Sequence, residues 1–319
     1  MGINNRIKVS IVGAGLMAEA HLKALKNNNN FVVEGIISKN GHSAKKLAIK
    51  YKIKFYGKTI QDLRSNTQSN LILIVVPILE TPKVLKLASK YSWKILVEKP
   101  VGYNYELVKK IYLNLKKERK DQNVFVGMNR RFYPSTLYAK KNLDKKKIRF
   151  IQIFDQEDLF SKNTIKKPKI VKKNFMYANS VHLVDYIRTF SRGKIISLKN
   201  KKINISKTKK IYKSEIKFSS GDTVDFTSVW NMPGPWSICI TNEEQRFEMR
   251  PLEDIWVRNF KKKDNIKVNF SKKLNELNLK PGLFLQLDEI NKLFKNKKND
   301  LCSLKDFLET MALVKKLFI

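Results

Sequence analysis

Three small groups of residues in this sequence could do chemistry. Lys99 closes an apolar, strand-like run, Ile95-Leu96-Val97, with Glu98 before it and Pro100 directly after. A lysine there is either one more solvated cation or an amine held in a cleft, where desolvation lowers its pKa and lets it exchange a proton. His182 and Asp185 stand three residues apart in an amphipathic helical pattern, so they share one face. Gly13-x-Gly15-x-x-Ala18 follows the β-branched run Ile7 to Val12 and opens a helical pattern through Leu22 and Leu25. In that context the first glycine permits a tight turn and the second lets backbone approach a pyrophosphate at a helix N-terminus. A small third residue allows close helix–strand packing.

These groups need elements to hold them. Strand-like runs at 7–12, 31–38, 70–77, 94–100 and 123–129 alternate with helical patterns through the first 129 residues, which predicts a doubly wound α/β domain over 1–129. The run 70–77, ending at Pro77, is too apolar for a half-exposed strand and suits the centre of a parallel sheet. The pattern then changes. A strand is expected at 149–158, one amphipathic helix over 175–191, turn-punctuated strands from 195 to about 270, and two closing helices. Residues 130–319 therefore read as an α+β domain on a mostly antiparallel sheet, joined to the first by a short hinge near 129–134. Trp230, Trp236 and Phe226 lie on its expected sheet and read as packing or interface residues rather than sugar stackers.

Composition narrows the function classes. The 319 residues contain 65 Lys+Arg against 28 Asp+Glu, a formal net charge of +37. A dedicated polyanion binder concentrates its charge on one face or tail. Here lysines, far more than arginines, are spread through every segment, and base readout and bidentate phosphate contacts favour arginine. Nucleic acid is therefore an unfavoured partner, whereas anionic small substrates gain from the same field. No apolar run of about eighteen residues suggests a membrane span, and the N-terminal residues lack a signal-peptide pattern. Cys239 and Cys302 have neither the number nor the spacing of a disulfide framework or zinc site, so no metal is expected and the expected setting is cytoplasmic.

At the end of the second strand, an NAD enzyme would offer an acid to the ribose hydroxyls. This chain offers Ser38 and Lys39. A hydroxyl and an ammonium accept a 2′-phosphate that an acid would repel, so NADP is favoured over NAD. Lys39 as a solvated surface lysine is the competing reading.

Taken together, "GAGLMA" (13–18), "EKP" (98–100), "GMNRRF" (127–132) and "HLVD" (182–185) resemble the Gfo/Idh/MocA family of glucose–fructose oxidoreductase and inositol dehydrogenase relatives. The resemblance extends over essentially the whole chain, through "WNMPGPW" (230–236) and "PGLFLQLDEI" (281–290). It implies a two-domain, nicotinamide-dependent oxidoreductase acting on sugars, cyclitols or sugar nucleotides. It also implies that Lys99 and His182 are catalytic, with Lys99 exchanging the hydroxyl proton beside the hydride carrier and the Lys99–Pro100 bond cis. Gly13, Gly15, Leu16, Met17, Ser38, Lys39, Pro77, Glu98 and Asn129 would then line the cofactor, and Arg130 the substrate entrance.

One departure stands out. Inositol-dehydrogenase-like relatives carry an aspartate four residues before this histidine, where this chain has Ala178. Tyr177, Asn179 or Asp185 would then orient the substrate, which makes sugar-nucleotide or keto-sugar chemistry more plausible than polyol oxidation. The alternative it raises is a family member that senses a dinucleotide or sugar and acts as a regulator. A redox-assisted lyase or glycosidase with tightly held NAD is a third reading. An open antiparallel face usually finds a mate, so a homodimer or homotetramer is expected.

Overall fold

The computed structural model describes residues 6–262, 264–270 and 279–319. They divide into two compact units, Met1–Phe132 with Lys273–Leu308 and Tyr133–Lys272 with Glu309–Ile319.

In the first unit, strands β1 (Ile7–Val12), β2 (Phe31–Ile37), β3 (Phe55–Gly57), β4 (Leu71–Ile74), β5 (Lys94–Glu98) and β6 (Val124–Gly127) alternate with helices. These are α1 (Leu16–Lys26), α2 (His42–Tyr51), α3 (Ile60–Asn66), α4 (Thr81–Ala88) and α5 (Tyr105–Lys117). All four residues of β4 are buried, as its apolar run requires of a strand covered on both faces. It is shorter than the expected 70–77, because the chain leaves the sheet after Ile74. β3 and α3 carry little hydrophobic periodicity and escape a sequence reading. What starts α3 is chemical: the Thr59 hydroxyl accepts from Asp62 N and the Asp62 carboxylate accepts from Thr59 N, a reciprocal cap.

The second unit opens with α6 (Pro134–Asn142) and β7 (Phe150–Glu157), then the short helices α7 (Lys162–Ile165), α8 (Lys169–Lys173) and α9 (Phe175–Ala178), and α10 (Val181–Phe190). Strands β8 (Ile195–Asn204), β9 (Lys210–Phe218), β10 (Thr223–Trp230), β11 (Ser237–Thr241), β12 (Gln245–Met249), β13 (Trp256–Asn259) and β14 (Asn265–Lys267) follow. They form one sheet in the order β14-β13-β12-β11-β7-β10-β9-β8, antiparallel except for the β7–β10 pair. β9 shows the alternation of a sheet with one covered face: Tyr212, Ser214, Ile216 and Phe218 are buried, whereas Lys213, Glu215 and Lys217 are exposed. On the covered side Trp230, Tyr212 and Phe318 pack edge to face, and Phe226 is 1% exposed, so this part of the aromatic set is core. At the turn into β10, Asp222 is fully buried and accepts from the backbone N–H groups of Arg149 and Arg192 and from the Arg192 guanidinium.

The helix expected over 175–191 is two helices, and this is a correction. Asn179, at φ −129° and ψ −60°, breaks the run between α9 and α10. Asn and Ser side chains offer hydrogen bonds that compete with a continuous helix. Here the side chains of Asn179 and Ser180 both donate to the Glu157 carboxylate.

Returning to the first unit, α11 (Leu283–Phe294) places Leu283, Leu287 and Ile290 in one core cluster with Leu22 and Leu25 of α1. The short strand β15 (Cys302–Ser303) pairs antiparallel with β6. The first sheet therefore runs β15-β6-β5-β4-β1-β2-β3, parallel but for its edge. A division at 129/130 assigns all later residues to the second domain. Apolar burial on α1 instead gathers α11 and Leu301 into the first unit. The last helix, α12, is Leu304–Leu317. Among the described residues no helix is long and apolar enough to cross a membrane.

Candidate active site

The candidate residues fall in both units, and each set is built differently. In the first unit the strand order reverses between β1 and β4, and β1, β2, β4, β5 and β6 are parallel, so their carboxyl ends share one edge. Open α/β sheets bind ligands at that edge, at the point of reversal. Gly13 sits there with φ +112°, and a Cβ on it would lie 2.2 Å from the Val75 carbonyl oxygen. No other residue fits that turn. A Cβ on Gly15, in contrast, would have no heavy atom within 4 Å. Gly15 is the N-cap of α1 and supplies no side-chain cap to its first turn. A backbone turn held tight by one glycine and left uncovered by the next fits a dinucleotide pyrophosphate. Leu16 beside it is 89% exposed, and Met17 is half-buried with its sulfur 3.0 Å from Lys280 Nζ.

At the end of β2, the Ser38 hydroxyl accepts from Ala44 N in the first turn of α2, and Lys39 is exposed. Pro77 is exposed after β4, and its carbonyl accepts from the N–H groups of Glu80 and Thr81 at the head of α4. At the end of β5, Lys99 is half-buried and the Lys99–Pro100 peptide is cis. Glu98 is bonded to His21 of α1, Nε2 to Oε1 at 2.7 Å, and the His21 side chain is only 3% exposed. From the sequence, His21 reads as a packing residue near the glycine turn. The structure adds that it fixes the carboxylate beside Lys99, a pairing across 77 residues that no local pattern could signal. Asn129 is buried and donates through Nδ2 to the Pro281 carbonyl, which anchors the chain just before α11. Arg130 is half-buried in the 3-10 turn Asn129–Phe132.

In the second unit, Tyr177, Asn179 and His182 gather where α9 gives way to α10. Tyr177 is 8% and His182 4% exposed, and Asn179 is half-buried. His182 N donates to the Asn179 carbonyl at 3.2 Å, which ties the histidine's backbone to the break. Asp185 shares the helix but is committed to the core: it is 2% exposed and its Oδ1 accepts from Thr310 of α12 at 2.9 Å. On the facing strand β7, Asp155 and Glu157 are both buried. Asp155 accepts from Ser228, whose hydroxyl also accepts from Trp230 Nε1. Glu157 was missed as a site residue. The alternation of β7 points it inward, but no sequence pattern says which helix it meets.

Residues 7–128 match the Gfo/Idh/MocA family model, described as an oxidoreductase family with an NAD-binding Rossmann fold. A 4-carboxy-2-hydroxymuconate-6-semialdehyde dehydrogenase from Sphingobium sp. is 22% identical over 194 residues, and the match spans 60% of this chain and 60% of that relative's length. Solved structures share the fold. A dehydrogenase from Chromobacterium violaceum is 16% identical with a TM-score of 0.79, covering 98% of this chain and 94% of its own. A levoglucosan dehydrogenase in complex with NADH is 14% identical with a TM-score of 0.77, covering 98% and 96%. A UDP-N-acetylglucosamine 3-dehydrogenase from Acidithiobacillus ferrooxidans is 11% identical with a TM-score of 0.76, again covering 98% and 96%.

Proposed function

We propose that the protein transfers a hydride between NADP, or NAD, and a secondary alcohol or ketone of a sugar, sugar nucleotide or cyclitol. The observation that carries this reading is the shared carboxyl edge of the first sheet. It presents the uncovered Gly15 turn at the head of α1 and, two strands away, Lys99. At about 4.8 Å per strand step, those two features lie on the order of 10 Å apart. The bound nicotinamide cofactor would supply or accept the hydride. Gly13 and Gly15 would take its pyrophosphate on backbone N–H groups, and the Ser38 hydroxyl and Lys39 ammonium would meet a 2′-phosphate. Lys99 would remove the substrate hydroxyl proton in the oxidative direction and return it in the reductive one. By the resemblance, His182, with Asn179 and Tyr177, would bind a substrate hydroxyl, and Arg130 would meet the substrate.

The named relatives that act on levoglucosan and on a UDP-sugar support the sugar class. Replacing Lys99 with Ala is expected to lower turnover on a panel of sugars and sugar nucleotides by about 10²- to 10⁴-fold with the fold intact. Near-native turnover on a good substrate would remove Lys99 from the chemistry. The regulator reading is favoured by Ala178, and the same nicotinamide absorbance assay separates the two, since a sensor binds the cofactor without turning it over.

A homodimer or homotetramer is part of the proposal. The outer face of the second sheet holds a hollow of about 600 Å³ lined by Phe154, Lys213, Glu215, Asp225 and Thr227. Within it, burial first and the Glu215 carboxylate second push Asp225 above the usual carboxylate range. Light scattering is expected to give a mass of two or four chains.

A further inference from the structure

A buried carboxylate is costly unless its surroundings use the charge. Glu157, the last residue of β7, is 1% exposed. Its Oε2 accepts from Asn179 Nδ2 and its Oε1 from Ser180 Oγ, both at 2.8 Å. These are the two residues that break the helix and lead into α10, and Asn179 also holds His182 through the backbone. A carboxylate can only accept. The Asn179 amide must therefore present its NH₂ to Glu157, which leaves its Oδ1 pointing elsewhere as an acceptor.

We propose that Glu157 is the positioning residue of the His182 site. It locks Asn179 with its amide oxygen available to a substrate hydroxyl, and it brings to the head of α10 a negative charge that Ala178 cannot supply. This rests on the reading that His182 meets the substrate. The N-terminal end of a helix disfavours a cation, so an imidazolium at the second position of α10 needs a compensating anion. Among the described residues, ionisable groups on elements packed against α10 include Asp155 and Glu157 from β7, Tyr177 from α9, Glu309 from α12 and Arg149, whose guanidinium donates to the Phe190 carbonyl at the far end of the helix. Asp185 and Tyr186 belong to α10 itself, and Arg188 at its far end pairs with Glu309 of α12. Asp155 is bonded to Ser228 and Asp185 to Thr310, whereas Glu157 is bonded to the chain that leads into the helix.

The test needs neither cofactor nor substrate. With only three histidines in the chain, the ring signals of His21, His42 and His182 can be followed separately by NMR as pH is varied. Glu157→Gln, which keeps the size and part of the hydrogen bonding, is expected to lower the His182 midpoint by about one pH unit and to leave His21 unmoved. Ala178→Asp in the same background is expected to recover at least half of that shift. Glu157→Asp keeps the charge but draws it back by one methylene, and should lower the midpoint by about 0.3 unit. If Glu157→Gln does not fold, the Asp variant is compared directly with the native chain. An unmoved His182 midpoint in whichever variant folds overturns the proposal. A moved midpoint alongside full activity of Lys99→Ala would leave this inference standing and fell the catalytic reading alone.

Discussion

The edge of the first sheet and the inner face of the second solve the same problem with different materials. At the ends of β1 and β2 the candidate site is mostly backbone: a glycine turn, a helix head without a side-chain cap and a hydroxyl that accepts from the first turn of α2 and keeps its own proton to donate. Around α10 it is mostly buried side chains, with Asp155, Glu157, His182 and Asp185 all less than 5% exposed. A backbone site needs only that the chain can adopt one conformation. A site made of buried charge needs every partner in place, because an unpaired charge in low dielectric is strongly destabilising. The second unit should therefore tolerate loss of a single partner far less well than the first.

The largest effect expected on that view is in the second unit. Burial pushes the Asp222 carboxyl up, but the Arg192 guanidinium and the backbone N–H groups of Arg149 and Arg192 outweigh it and hold the group below the usual aspartate range. A depressed folded pKa means stability that is present above the unfolded value of about 3.9 and is lost as pH falls through the folded value. Asp222→Asn is expected to cost about 3 kcal/mol at neutral pH, by stranding Arg192 and Arg149, and to flatten the acid limb of a urea-midpoint series from neutral to acid pH. A variant with native stability and an unchanged acid limb would break the comparison.

The two glycines sharpen it within the first unit. Gly13→Ala meets the Val75 carbonyl and a positive φ, and should cost about 1–3 kcal/mol of stability by thermal melting. Gly15→Ala has open space around its new methyl and should melt like the native chain. It should nonetheless bind NADPH or NADH about tenfold more weakly by calorimetry, a loss of about 1.4 kcal/mol, because the methyl stands where the phosphates approach. Equal cofactor affinity in Gly15→Ala would mean that the turn is structural only.

Much of the first unit was legible in the residues because its signals are local. The apolar run at 71–74, the glycine spacing and the lysine at a strand mouth each lie within a dozen residues, and backbone geometry reads them the same way in any context. The reciprocal Thr59–Asp62 cap was equally local but sits beside a three-residue strand too short for a periodic pattern. The second unit was legible as an alternation of strands and not as a site. Glu157 meets Asn179 across 22 residues, Asp185 meets Thr310 across 125, and only one of each pair lies in a recognisable pattern.

By itself, then, the order of residues determined which segments become strands and helices, which turn can cradle a pyrophosphate and where an amine closes a strand. Those follow from backbone sterics and hydrophobic period, which act between near neighbours. Only the tertiary structure decided that Cys302–Ser303 pairs with the first sheet and α11 packs on α1, that His21 holds Glu98, and that the helix over 175–191 breaks onto a buried carboxylate. Such pairings are set by which surfaces bury one another, and burial is a property of the folded chain.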